Sequence, residues 1–341
     1  MTTQRGLRRG DLVEVVGPSE ILATLDENGA VGGLPFMPEM VQYCGQRFVV
    51  DCRADKVCDT VKYTGSLRLA DTVLLGALRC NGSRHGGCQA DCRLFWKEAW
   101  LRSVTESSPT TAPYRPQELN ILAQHAALHV KRTGQVEGHL KERWVCQLTE
   151  MFKAGAHLSV WDPRPYLNEY ANGNVTLGHC LRVSARAAIE EPMRRLGLMP
   201  IFVKGTAVRA PAYESSNLQP GDWVQVRSME EIIATLNPKG QNRGLSFDRE
   251  MVPYCGRTFR VRQRISRFID DCQDNGRMVE MATDAVTLEG AVCSGELSQQ
   301  RWFCPRRIFP YWRECWLRRV PSPAPQSDLV PEPVTSEGAA S

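Results

Sequence analysis

Apolar and polar residues alternate along "DLVEV" (Asp11–Val15) and again along "DWVQV" (Asp222–Val226), the period-two pattern of a half-buried strand. Each is followed by a short apolar pattern of helical period, "SEILATL" or "MEEIIATL", which a turn at Gly29 or Gly240 stops. Ser19 stands where a cap for the first of these helices belongs. Farther along, "CGQRFVV" and "CGRTFRV", then "DTVLLGAL" and "DAVTLEGAV", read as further strands, and segments rich in Trp, Leu and Val close each series.

The two series are an internal sequence repeat. Gly10–Phe48 laid over Gly221–Phe259 matches at 20 of 39 positions without a gap, and "VLLGALRC" and "WKEAWLRSV" find partners in "VTLEGAVC" and "WRECWLRRV". The pattern predicts an α+β fold of two duplicated small antiparallel sheets, strongly bent and with an SH3-like barrel as the candidate architecture, joined by a helical middle region. The boundaries follow the composition: copy one over 1–104, a Ser/Thr/Pro linker over 105–115, a mainly helical middle over 116–218 and copy two over 219–320. The tail, 321–341, is rich in Pro, Ser, Glu and Ala and is expected to be disordered. In the middle, "PQELNILAQHAALHVKRTG" opens on a first-turn proline and closes on Lys, Arg and Gly, and a second helix is expected through "LKERWVCQLTEMF".

Composition narrows the class without naming a function. Of 341 residues 42% are hydrophobic and 23% charged, which suits globular domains with their own cores. The net charge of +4 is too even for a dedicated nucleic-acid binder, so nucleic acid is not the expected partner. The N-terminus lacks the apolar core of a signal peptide and no apolar run reaches membrane-spanning length, which predicts a cytoplasmic protein without a membrane partner. The sequence contains no Walker loop, Rossmann glycine fingerprint, HExxH helix or nucleophile elbow.

Thirteen cysteines do change the picture. In a reducing compartment so many thiols are metal-binding, catalytic or buried rather than paired. In copy one the candidates are Cys44, Cys58, Cys80, Cys88 and Cys92; a second, weaker set is Cys255, Cys272, Cys293 and Cys304. Cys44 aligns with Cys255, Cys80 with Cys293 and Cys88 with Cys304, while Cys58 and Cys272 both follow the "RF" strand; Cys52, Cys92 and Cys315 have no counterpart. Four thiolates from separate loops are what tetrahedral zinc or an iron–sulfur cluster requires. Gly82, Gly86 and Gly87 allow backbone N–H groups close to sulfur, which favours a cluster over zinc in copy one. Cys44 and Cys255 fit core packing nearly as well, and Cys146 and Cys180, on helical patterns, fit it better than ligation. His85 reads as a ligand, a proton donor or a solvated loop residue.

"LPFMPEM", "YCG-x-RF", "K-x-CD", "LRC-x-G", "HGGCQA-x-C" and "FWKEAWL" resemble the motifs of an uncharacterised bacterial family of cysteine-rich proteins, most closely over copy one, with "CQLTE" and "WDPRPY" fainter. The resemblance implies kinship and carries no activity or ligand set with it. The expected function is that of a metal- or iron–sulfur-binding protein of a biosynthetic or redox pathway, an enzyme subunit or an electron or sulfur carrier with a protein or small-molecule partner. Two alternatives stand beside it: a zinc-stabilised module that binds protein or RNA, and a thiol enzyme using Cys88 or Cys92.

Overall fold

The computed structural model describes residues 6–60, 65–109, 111–136, 139–159, 162–198, 203–207, 215–272 and 275–322; residues 323–341 of the expected tail fall outside them. Two five-stranded antiparallel sheets organise the chain. The first runs in the order Arg93–Lys97, Thr72–Arg79, Arg47–Arg53, Leu12–Val15, Leu101–Ser103, and the second in the order Trp312–Arg313, Met278–Leu288, Thr258–Ile269, Trp223–Val226, Leu317–Arg319. Corresponding residues also pair in register: Val13 faces Phe48 as Val224 faces Phe259, and Val15 faces Leu101 as Val226 faces Leu317. With the helices and smaller sheets between them, this is a mixed α/β fold of several small antiparallel sheets.

The alternation that predicted the strands is what builds each core, because the inward residues of each sheet close over a buried aromatic group. Phe36 meets Trp96 and Trp100 edge-on at 6.4 and 5.2 Å, and Phe247 meets Trp312 and Trp316 at 6.1 and 5.4 Å. Two of these buried indoles find an acceptor, whereas the Nε1 groups of Trp96 and Trp312 have none among the described residues. Trp100 Nε1 donates to Thr24 Oγ1 at 3.1 Å, and Trp316 Nε1 to Thr235 Oγ1 at 2.9 Å. Those threonines end the short helices Pro18–Thr24 and follow Met229–Ile233, which locks each helix over its sheet. The first helix is capped by Gly17 rather than Ser19: Pro18 takes the first turn and Glu20 accepts the Gly17 N–H at 3.3 Å.

Between the sheets the helix beginning at Pro116 forms as expected, over Pro116–Leu128. The second expected helix does not. Its first half is the strand His139–Trp144, paired with Lys131–Val136. Cross-strand partners decide the matter: Lys131 forms an ion pair with Glu142 at 2.9 Å and lies 4.8 Å from the Trp144 ring centroid, contacts that a helix would separate. Helices Arg164–Ala171 and Leu177–Arg195 complete the middle, and Ala156–His157 pairs with Ser66–Arg68, itself paired with Lys56–Cys58. Among the described residues no helix is long and apolar enough to cross a membrane.

The indole bonds make a direct prediction. Thr24→Val keeps the side-chain shape and strands the Trp100 N–H, so urea denaturation followed by tryptophan fluorescence should show a loss of about 1–3 kcal/mol. Thr235→Val should cost a similar amount through Trp316; no change in midpoint would show that the indoles find water instead.

Candidate functional site

Cys80, Cys88, Cys92 and Cys146 line one cavity, together with Met37, His85, Arg93, Gln147 and Ile269. Three of these thiols belong to the expected loop, and the fourth comes from the middle region, where core packing had been the better expectation. The loop leaves the strand Thr72–Arg79 and returns on Arg93–Lys97, and its neck is closed by the Cys80 N–H on Cys92 O at 2.8 Å. Within it Gly82 O accepts from His85 and Gly87 N–H groups at 2.9 and 3.1 Å. Gly82 has φ +64°, and a Cβ there would stand 2.0 Å from Cys88 O, so no other residue closes this loop.

Cys146 is held by a turn and by a glutamine. Its N–H donates to Thr149 Oγ1 at 2.9 Å, and that hydroxyl donates back to Cys146 O at 3.0 Å. The buried Gln147 side chain then acts as a piece of strand: Oε1 accepts the Phe95 N–H at 2.8 Å and Nε2 donates to Phe95 O at 2.7 Å. Phe95 lies on the strand just after Cys92, so this clamp sets Cys146 beside the loop cysteines. The "LPFMPEM" segment lies beneath: Met37 lines the cavity, and its Sδ accepts the Gln147 N–H at 3.4 Å.

His85 is buried and fully engaged. Nδ1 lies 2.8 Å from Glu39 Oε1 and Nε2 lies 3.0 Å from Val145 O. Both ring nitrogens are thus taken up by protein partners, and neither is left for a metal. Glu39, Cys80 and His85 do bring ligand atoms within 4.8 Å of one another. The histidine's role there is to tie the cysteine loop to the residue before Cys146. Burial pushes the Glu39 carboxyl up, but the hydrogen bond and charge of His85 outweigh it and the net direction is down.

The sulfurs accept backbone N–H groups. Gly82 donates to Cys80 Sγ and Ile269 to Cys88 Sγ, both at 3.4 Å, and Leu148 and Thr149 N–H groups support Cys146. Burial pushes the Cys80, Cys88 and Cys92 thiols up and Cys146 to about 11, and the charges of neighbouring thiols add to this at Cys80, Cys92 and Cys146, those of Asp271 and Glu39 at Cys88. Four such thiols are available to a cation that would hold them all ionised. Among the described residues no three cysteine sulfurs lie within 4.8 Å of one another, whereas a tetrahedral zinc site needs about 3.8 Å from its bonds of about 2.3 Å. Arg93, on the same cavity, is buried and its Nη1 has no hydrogen-bond partner.

The other cysteines lie elsewhere. Cys44 ends the 3-10 helix Pro38–Tyr43 near Tyr114, and Cys255 ends the corresponding helix Arg249–Tyr254. Cys272 donates to Asp271 Oδ1 at 3.6 Å. Cys58 lies against Cys304 of the second sheet's loop, with Cys293 near both. Cys180 packs with Val183 and Phe303, and Cys52 and Cys315 join the two cores. No protein family, curated protein or solved structure matches this chain.

Core thiols have a pH signature. Burial pushes Cys44 to about 12 and Cys52 to about 11. Unfolded thiols ionise near about 8.5, so between that pH and the folded values the unfolded chain binds fewer protons and stability falls as pH rises. The denaturant midpoint should therefore drop from about pH 9 to 11, and more gently in a Cys44→Ala/Cys52→Ala variant. Equal slopes for the two chains would place these thiols in solvent.

Proposed function

We propose that this chain is a cytoplasmic iron–sulfur protein, holding one cubane cluster through Cys80, Cys88, Cys92 and Cys146 and serving as an electron carrier or as the electron-transferring subunit of a redox or biosynthetic enzyme. The observation that carries this reading is the convergence on one cavity of four thiols, three from one loop and one from the middle region, no three of which lie within 4.8 Å of one another as a single tetrahedral ion would require. N–H groups directed at sulfur tune clusters, and three of the four cysteines have them. All four cysteines are only partly buried, so a redox partner can approach closely.

Four protein ligands leave no open iron position, which favours electron transfer over substrate activation. A thiol enzyme is disfavoured because a nucleophile needs a lowered pKa and these thiols are raised. The equal strand orders and registers of the two sheets support the further proposal that they are diverged copies of one SH3-like unit, of which only the first keeps three cysteines in its loop beside Cys146.

Anaerobic purification decides the assignment. The chain should be brown, with about four iron and four sulfide per molecule. Cys88→Ser and Cys146→Ser should each lose the colour, whereas Cys44→Ser should keep it. Zinc without sulfide, or a Cys146→Ser protein that retains iron, would overturn the reading.

A further inference from the structure

The second sheet's loop contributes to a further group of thiols, one of which comes from the strand Lys56–Cys58 in the first half of the chain. At the 211-residue offset of the two sequences Cys58 takes the place of Ile269. The backbone geometry agrees. Ile269 N–H donates to Cys88 Sγ at 3.4 Å, and Cys58 N–H donates to Cys304 Sγ at 3.4 Å. Likewise Cys80 N–H meets Cys92 O and Cys293 N–H meets Ile308 O, both at 2.8 Å, which makes Cys293 the counterpart of Cys80. Each loop is thus docked on a strand from the other half of the chain. Where the first site has an isoleucine, the second has a thiol.

Cys58 and Cys304 are both buried, and the Cys304 thiol hydrogen-bonds Cys58. Cys293 is near enough for its charge to act on Cys304 and for that of Cys58 to act on it. Arg306, buried and paired with Asp271 at 2.5 Å, donates Nη1 to Cys58 Sγ at 3.6 Å. Arg301 anchors beside it on Asp59 O at 3.2 Å.

We propose that Cys58, Cys293 and Cys304 form a second metal site, distinct from the four-cysteine cavity, that takes one thiophilic cation of the zinc class. The cation displaces the thiol protons, and three thiolates around a divalent ion leave one negative charge, which faces Arg301 and Arg306. Because the three sulfurs do not all lie within 4.8 Å of one another, binding draws Cys293 toward the Cys58–Cys304 pair. The inference does not rest on the cluster reading of the first site.

Cadmium is the probe, since its thiolate complexes absorb in the ultraviolet by charge transfer. The reduced, chelator-stripped full chain is titrated anaerobically, as are Cys58→Ser, Cys88→Ser and the Cys58→Ser/Cys88→Ser double variant, with folding checked by circular dichroism. Cys58→Ser should bind about one equivalent less than the unmodified chain, and the double variant about one less than Cys88→Ser. Cys293→Ser gives the same readout should Cys58→Ser fail to fold. Equal stoichiometry with and without Cys58, or loss of that equivalent in Cys88→Ser alone, would overturn the second site.

Discussion

Each cysteine loop in this protein rests on a strand from the other half of the chain, and the remaining geometry depends on that exchange. Gln89 ties the first loop to the strand Thr258–Ile269: its N–H donates to Arg267 O, and its Oε1 accepts from the N–H groups of Ser266 and Arg267. In the opposite direction Lys56 donates Nζ to Trp302 O and Ser66 donates Oγ to Gln300 O. The Gln89 bonds satisfy backbone groups at a strand edge, and those to Trp302 and Gln300 satisfy loop carbonyls. They also place the buried Arg306–Asp271 pair between the two groups of thiols, where Arg306 feels the charge of Cys58 and Cys304 on one side and of Cys92 on the other.

The middle region is the second constraint. It enters the first sheet's core through Gln147, whose amide satisfies Phe95, Pro35 and the Met40 sulfur at once. An unpaired amide at that depth would cost more than the bonds return, so the clamp is satisfied as a whole or not made. His85 closes the same joint from the loop side. Polar groups, in this way, fix the relative positions of segments that the apolar cores leave free.

The sequence was informative where local pattern and chemistry coincide. The alternation at Leu12–Val15 and Trp223–Val226, the first-turn Pro116 and the glycine-rich cysteine loop are all visible as patterns, and each became the element it suggested. Two things were hidden for physical reasons. Cys146 sits in "RWVCQLT", where a helical apolar spacing masks a strand set by cross-strand pairs, and only the C-x-x-T turn hinted otherwise. Cys58 seemed to belong to its own copy because proximity in sequence suggests proximity in space, whereas the loop exchange sends it to the other. His85 read as a ligand, a proton donor or a solvated loop residue, since nothing local reveals that Glu39 and Val145 enclose it.

The loop exchange also imposes an order on the protein's birth. Cys80, Cys88, Cys92 and Cys146 leave the ribosome long before the strand ending at Ile269 and the loop carrying Cys304 and Arg306 are made. At about 5–20 residues per second the interval from residue 146 to residue 306 lasts about 10–30 s. Throughout it, the early thiols wait without the wall that will cover them and the late half has not yet supplied its positive charge. The finished arrangement therefore belongs to the whole chain, and neither half made alone can assemble the surroundings of its own cysteines.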